Sequence, residues 1–264
     1  MALIDFIQII LMVCIISILA TGAFIIFRMI KKKLYTLFGL ALFFILYSIQ
    51  LLGEFIFPYI IKAFYSQICI LFLILFIKIV FYKGSKAFFP NFMIISFVIL
   101  KGFDFYFRLH FNFQVPLLIT INTDQIPLYY IFVAITVLEV SSPLTWLGYK
   151  AIRTNVNLKN YEIEPWVKKR YLLIACSALI LALSDIFTFF LPPGGGYEAV
   201  HPALMIFTAL SFIIFSFGNL IAWIMPKRLK NYFNRGYTPP SDEVLTENEL
   251  LEKIRKQLAG RGEK

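Results

Sequence analysis

The sequence predicts an all-α integral membrane protein: a seven-transmembrane helix bundle with its N-terminus outside, its C-terminus cytoplasmic and a short cytoplasmic amphipathic helix at the end. Three observations carry that expectation. Of 264 residues, 60% are hydrophobic and only 15% charged, with a mean hydropathy of +0.80, whereas soluble domains run nearer a quarter charged. Seven apolar runs, each near the roughly 20 residues that cross a bilayer, fall at residues 6–27, 34–52, 59–82, 88–108, 128–149, 171–191 and 203–225. The basic residues between these runs lie almost entirely on one side.

The first run carries Asp5 and no basic residue ahead of it, and its apolar stretch is too long for a signal peptide, so it is expected to be retained. Arg28 and Lys31, Lys32 and Lys33 follow span 1, and Lys83 and Lys86 follow span 3. Lys150, Arg153, Lys159, Lys168, Lys169 and Arg170 lie between spans 5 and 6, and Lys227, Arg228, Lys230 and Arg235 follow span 7. These sixteen share one side, against Lys62 and Arg108 on the other. Positively charged loops stay in the cytoplasm, which fixes the expected orientation in a plasma membrane. The net charge of +10 thus reads as a topology signal and a contact with anionic lipid, and no nucleic-acid partner is expected.

The outer connections differ in character. Residues 112–127, "NFQVPLLITINTDQIP", are apolar and bounded by proline, suited to lie along the membrane surface. Residues 191–202, "LPPGGGYEAVHP", form a turn that cannot be helical. No internal repeat is evident, which argues against an inverted-repeat transporter.

Ionisable groups at membrane depth are expensive and mark candidate functional sites. In "VILKGFDFYFRLHF" (98–111), Lys101, Asp104 and Arg108 stand three and four residues apart in span 4. Counting about 1.5 Å per residue places Lys101 about 20 Å and Asp104 about 24 Å above the cytoplasmic start of the span, Asp185 of span 6 about 21 Å up, and Glu139 of span 5 about 16 Å below the outer surface. Lys101, Asp104, Glu139 and Asp185 are therefore the candidate ligand, ion-binding or proton-relay residues. Three carboxylates against one deep lysine leave a surplus of acid. Arg108 is expected to snorkel to the headgroups, forming an outer mouth with Glu54, His110 and His201. Lys78 lies four residues from the cytoplasmic end of its run and is expected to snorkel too. Structural bridges, for example Lys101 with Asp185, are the plainer use of the same charges. Gly102 is expected to let a neighbouring helix approach.

In "LEVSSPLTW", Pro143 follows Glu139 by one turn, so span 5 is expected to kink and free a backbone carbonyl near residue 139, which Ser141 or Ser142 would re-satisfy. Cys14, Cys69 and Cys176 sit inside apolar runs with no CxxC or Cys/His spacing, and are expected to be small buried hydrophobes. No HExxH or GxSxG occurs and no histidine lies at membrane depth, so no catalytic residue, metal or cofactor is assigned.

Residues 1–235 form the membrane domain and 236–264 a cytoplasmic tail. In the tail, Thr246 and Glu249 make a capping box, with Leu245 and Leu250 as a hydrophobic staple, opening a helix over about 246–258. Its stripe of Leu250, Leu251, Ile254 and Leu258 needs a surface, offered by a cytoplasmic protein partner or by a second copy of the chain in an oligomer. No kinase, cyclase or nucleotide-binding domain is expected after span 7.

From Lys168 to Gly218, the basic start "KKRYLLIACSALI" leads through a short outer loop into "HPALMIFTALSFIIFSFG". With seven spans, an outer N-terminus and basic cytoplasmic loops, this resembles the seven-transmembrane sensor region of prokaryotic histidine kinases. That resemblance implies a sensory role. Span 7 holds no lysine, so a retinal Schiff base is not expected. The resulting expectation is a non-enzymatic sensor or regulatory membrane protein with an outer-half polar pocket and a cytoplasmic docking helix. The alternatives are an accessory or structural subunit of a membrane complex, and an ion or small-solute transporter using the buried carboxylates. The second alternative lacks polar residues lining a route through the cytoplasmic half.

Overall fold

The computed structural model describes residues 2–56, 61, 65, 68–82, 88–113, 123–158, 163–190 and 200–237. Their regular elements are the helices α1 (Ala2–Lys32), α2 (Phe38–Ile56), α3 (Cys69–Phe81), α4 (Phe88–Phe111), α5 (Ile126–Asn157), α6 (Pro165–Ile186), α7 (Val200–Ile224) and the short α8 (Lys227–Phe233). Tight 3-10 turns occupy Tyr35–Leu37, Thr123–Gln125 and Phe187–Phe190, and no strand occurs among the described residues. Four stretches are long and apolar enough to cross a membrane, at Ile9–Lys32, Tyr35–Gly53, Ile126–Asn157 and Ala203–Ile224. The chain is a helical membrane protein. The helices overrun several apolar runs: α4 continues past residue 108 to Phe111, and α5 continues past residue 149 to Asn157. Apolarity marks the lipid-crossing part of a helix, whereas backbone hydrogen bonding persists into the polar region on either side.

The helix ends follow local chemistry. Pro165 opens α6 and Pro127 stands in the first turn of α5, positions where a missing N–H costs nothing. Lys33, Asn112 and Met225 take positive φ (53°, 53° and 37°) just past α1, α4 and α7. This left-handed residue releases the chain from the helix. At α1 the Leu34 N–H then reaches back to the Met29 carbonyl at 3.0 Å.

Neighbouring helices pack in sequence order, and α7 returns to α1, closing a ring. α3 is the most enclosed, with Cys69, Ile70, Leu73, Ile74, Phe76 and Ile77 all 0% exposed. It touches α2, α4 and α5, and its Phe76 ring meets Trp223 of α7 edge-on at 5.9 Å. Small residues set the closest approaches. A Cβ on Gly148 of α5 would meet the Leu179 side chain of α6 at 2.7 Å, and one on Gly218 of α7 would meet Ser177 Cβ of α6 at 2.7 Å. Gly102 behaves otherwise: a Cβ there meets nothing within 4 Å, so it faces outward and admits no neighbour. Cys176 is likewise exposed on α6, whereas Cys14 and Cys69 are buried. In both cases the face was decided by where adjacent helices lie, not by the apolarity of the run.

The helix ends gather at two poles. Arg28 Nη1 of α1 donates to the Ile224 carbonyl of α7 at 2.8 Å. Trp146 Nε1 of α5 donates to Tyr82 Oη after α3 at 3.2 Å, and Lys150 Nζ lies 4.0 Å from the Tyr82 ring centre. Lys78 Nζ of α3 donates to Asn91 Oδ1 of α4 at 2.8 Å, giving this lysine a polar partner near the start of α4. Arg170 of α6 lies between the rings of Trp166 and Trp223. These contacts bring the ends of α1, α3, α5 and α7 to one pole with the starts of α4 and α6. The outward side chains of α4, among them Ile95, Val98, Ile99 and Phe103, are exposed and apolar, whereas Asp104 is 0% exposed. A polar interior behind an apolar surface is the arrangement that lipid selects.

Candidate functional site

The site is built on α4, α5 and α6, toward the pole opposite the basic helix ends. On α4 one helical stripe carries Lys101, Asp104 and Arg108, and the side chains meet. Lys101 Nζ donates to Asp104 Oδ2 at 2.5 Å, and Arg108 Nε donates to Asp104 Oδ1 at 2.9 Å. Asp104 thus holds a cation on each oxygen. Lys101 pairs with Asp104 on its own helix.

Arg108 overturns its expected place at the headgroups. The residue is 7% exposed, and its guanidinium lies 5.2 Å from the ring centre of Phe132 on α5. Depth counting from Phe88 made the outer surface coincide with Arg108. α4 continues one turn further, and the side chain points back along the helix toward Asp104, as long helical side chains do. An aromatic group of Phe107, Phe113, Tyr129 and Phe132 encloses this end of the stripe.

Glu139 is placed centrally. It is 1% exposed, and among the described residues neither carboxylate oxygen has a hydrogen-bond partner. It lies within electrostatic reach of Lys101, Asp104, Arg108 and Asp185, so the structure brings all four predicted inner residues, and Arg108, into one cluster. Asp185, near the end of α6, is half-buried. The cluster joins two cations to three carboxylates. Among the described residues no three His, Cys, Asp or Glu side chains are arranged to hold a metal ion.

The serines of α5 do not serve residue 139. Ser141 Oγ donates to the Val137 carbonyl at 2.7 Å and Ser142 Oγ to the Leu138 carbonyl at 2.6 Å. Each takes the carbonyl four residues back, which is the local geometry a helical serine reaches, and α5 runs through Pro143 without interruption. Of the expected outer mouth, His110 is exposed and stacks on Tyr106 at 4.3 Å, away from the buried cluster. Glu54 belongs to α2 and His201 to α7, but their side chains lie outside the described residues. So do the loop turn at 191–199, most of the 112–127 segment and the whole tail helix 246–258 with Leu250, Leu251, Ile254 and Leu258.

Two groupings were not anticipated. Thr21 Oγ1 and Ser216 Oγ meet at 2.6 Å between α1 and α7, and Ser216 Oγ also donates to the Ser17 carbonyl at 3.0 Å. At the basic pole, Glu164 ties α6 to α8. Trp166 Nε1 donates to it, Asn234 Nδ2 does so at 3.1 Å, and Lys230 Nζ lies 3.2 Å away. Partial burial pushes the Glu164 carboxyl up, but hydrogen bonds from Asn234, Trp166 and Lys230 outweigh it and hold the group below its ordinary range. The sequence signal for this knot is the Glu164–Pro165–Trp166 helix start, which sets an acid and an indole N–H side by side at the head of α6. α6 therefore carries Asp185 at one end and the α8 tie at the other, about 30 Å apart along a helix of 22 residues.

Comparison of the chain with protein-family models, with curated proteins and with solved structures gives no match.

Proposed function

We propose that this chain is a seven-span, multi-pass sensor or regulatory protein of the plasma membrane, with its N-terminus outside. In this reading the α4–α6 cluster is a polar site in the outer half of the bilayer. Its state biases α6, and α6 passes that bias to α8 and the cytoplasmic helix 246–258, which docks on a partner through Leu250, Leu251, Ile254 and Leu258. The gathering of basic helix ends at one pole supports the orientation.

The observation that carries the reading is Glu139: a buried carboxylate at membrane depth with no hydrogen-bond partner among the described residues, beside Lys101, Asp104, Arg108 and Asp185. Structural groups in hydrocarbon are satisfied, and one that is not marks function. A spin-label pair tests the coupling. With the native cysteines replaced, labels at Ile30→Cys on α1 and Tyr232→Cys on α8, both exposed, report the cytoplasmic pole in nanodiscs. Glu139→Gln removes the charge and keeps the shape, and it should shift or broaden that distance distribution. Superimposable distributions would overturn the sensory reading.

A further inference from the structure

We propose that the seam between α1 and α7, at the basic pole, holds one anionic phospholipid whose headgroup carries two phosphates. The phosphates lie between Lys31, Lys32 and Lys33 of α1 and Lys227 and Arg228 of α8, and the acyl chains run down the outer face of α1. This surface is separate from the α4–α6 cluster, and its ligand is independent of the sensory reading.

Two segments far apart in sequence build the seam. Thr21 and Ser216 join α1 to α7 at membrane depth, and Arg28 Nη1 reaches the Ile224 carbonyl at 2.8 Å near both helix ends. Lys31 follows Arg28 by one turn, about 5 Å along the axis, and Lys32 and Lys33 come directly after it. Lys227 and Arg228 open α8 just past Ile224. Left-handed backbone at Lys33 and Met225 ends α1 and α7 at this level. Two basic groups therefore flank one helix–helix contact.

All five residues are exposed, and none pairs with a carboxylate among the described residues. Other cations of this pole are engaged. Lys150 lies over the Tyr82 ring, Arg170 between two indoles, and Lys230 against Glu164. Glu164 is the one carboxylate at this pole among the described residues, and Lys230, Asn234 and Trp166 hold it. The described residues leave the positive charge of the seam uncompensated.

What lies beneath the cations selects a lipid over a free anion. Phe24, Phe27 and Ile30 of α1 are exposed and apolar, and the Phe27 ring centre lies 5.7 Å from Lys31 Nζ. A free phosphate gains only exposed ion pairs, which are worth little in water. A phospholipid sets phosphate among the lysines and acyl chain against those side chains in one pose, and basic groups at a membrane face draw anionic headgroups. Two phosphates on one headgroup meet both basic groups together, the second at the high effective concentration that linkage gives. A single phosphate reaches one group.

The test titrates the full chain, in micelles of a neutral detergent, with diphosphatidylglycerol and counts bound lipid by native mass spectrometry. One molecule should bind per chain, at least about tenfold more tightly than phosphatidylglycerol, and inorganic pyrophosphate at equal concentration should not displace it. Lys31→Gln with Lys227→Gln takes one cation from each side of the seam. At about fivefold per surface lysine, it should weaken binding about 25-fold. Arg153→Gln with Lys169→Gln removes as much charge from exposed positions of α5 and α6, and should change binding by less than about twofold. Equal affinity for phosphatidylglycerol overturns the two-phosphate headgroup, and displacement by pyrophosphate overturns the lipid in favour of a soluble anion. Equal losses in the two double variants overturn the seam in favour of diffuse attraction to the whole pole. No bound lipid on the wild-type chain overturns the site.

Discussion

Asp104 is the best place to test whether the charges of α4 hold the bundle together. Asp104→Asn removes the negative charge between Lys101 and Arg108 while keeping the volume. Removing one partner of a buried ion pair costs about 3–5 kcal/mol, because the other charge stays buried. Two features set the magnitude here. Asp104 is fully buried and holds two cations, but the Lys101 side chain is 17% exposed and the Arg108 side chain 9%. Lys101 can relax along the open side of Gly102, and Asn keeps one acceptor for Arg108. The lower end, about 3 kcal/mol, is therefore expected. At about 2–4 °C per kcal/mol for a chain of this size, the melting temperature in nanodiscs should fall by about 6–12 °C. Replacing all three charges with apolar residues (Lys101→Met, Asp104→Leu, Arg108→Met) should recover most of that loss, since a buried ionic group exchanged for packed apolar side chains is often neutral. A melting temperature for Asp104→Asn within about 2 °C of wild type would refute the reasoning.

Three further outcomes follow from the packing and the pole contacts. Gly102→Ala should be neutral or stabilise by about 0.5–1 kcal/mol through helix propensity, whereas Gly218→Ala and Gly148→Ala should each cost about 1–3 kcal/mol through overpacking, as thermal melts would resolve. Thr21→Val should cost only about 0.6 kcal/mol, the usual worth of an interhelical hydrogen bond in a membrane. Glu164 sets a pH dependence at the basic pole. Its folded-state carboxyl is held below its ordinary value, so its contribution is fully present above the ordinary carboxylate range and is lost as pH falls through the folded value. Hydrogen-exchange protection of α8, corrected for the intrinsic pH dependence of amide exchange, should therefore fall on acidification in the wild type, with that fall absent in Glu164→Gln.

What the sequence made legible, and what it hid, follows the geometry of a single helix. The apolar runs located the helices because burial in lipid dictates composition over some 20 residues at a time. The approach of Lys101 to Asp104 was readable from their three-residue spacing. The same rule, applied at four residues, joins Arg108 to Asp104, but depth counting assigned that arginine to the surface. What favours the inward rotamer is Phe132, which comes from another helix. Gly102, Cys176 and the serines beside Pro143 were misplaced for a related reason. A run apolar all round does not say which face meets a neighbour, and a helical serine satisfies the nearest carbonyl rather than the one a proline frees. Glu139 was legible as a buried acid. Its lack of a partner was not, because that is a property of α4 and α6 as much as of α5.

The account divides the cluster into a structural half, the Lys101–Asp104–Arg108 triad, and a functional half centred on Glu139. The stability of Glu139→Met beside that of Asp104→Asn tests this division most directly. A buried carboxylate without partners costs about 1–3 kcal/mol, so an apolar side chain of similar size should raise the melting temperature by at least about 2 °C where Asp104→Asn lowers it. A loss in Glu139→Met comparable to that of Asp104→Asn would contradict the account, making Glu139 a structural counter-charge of the bundle.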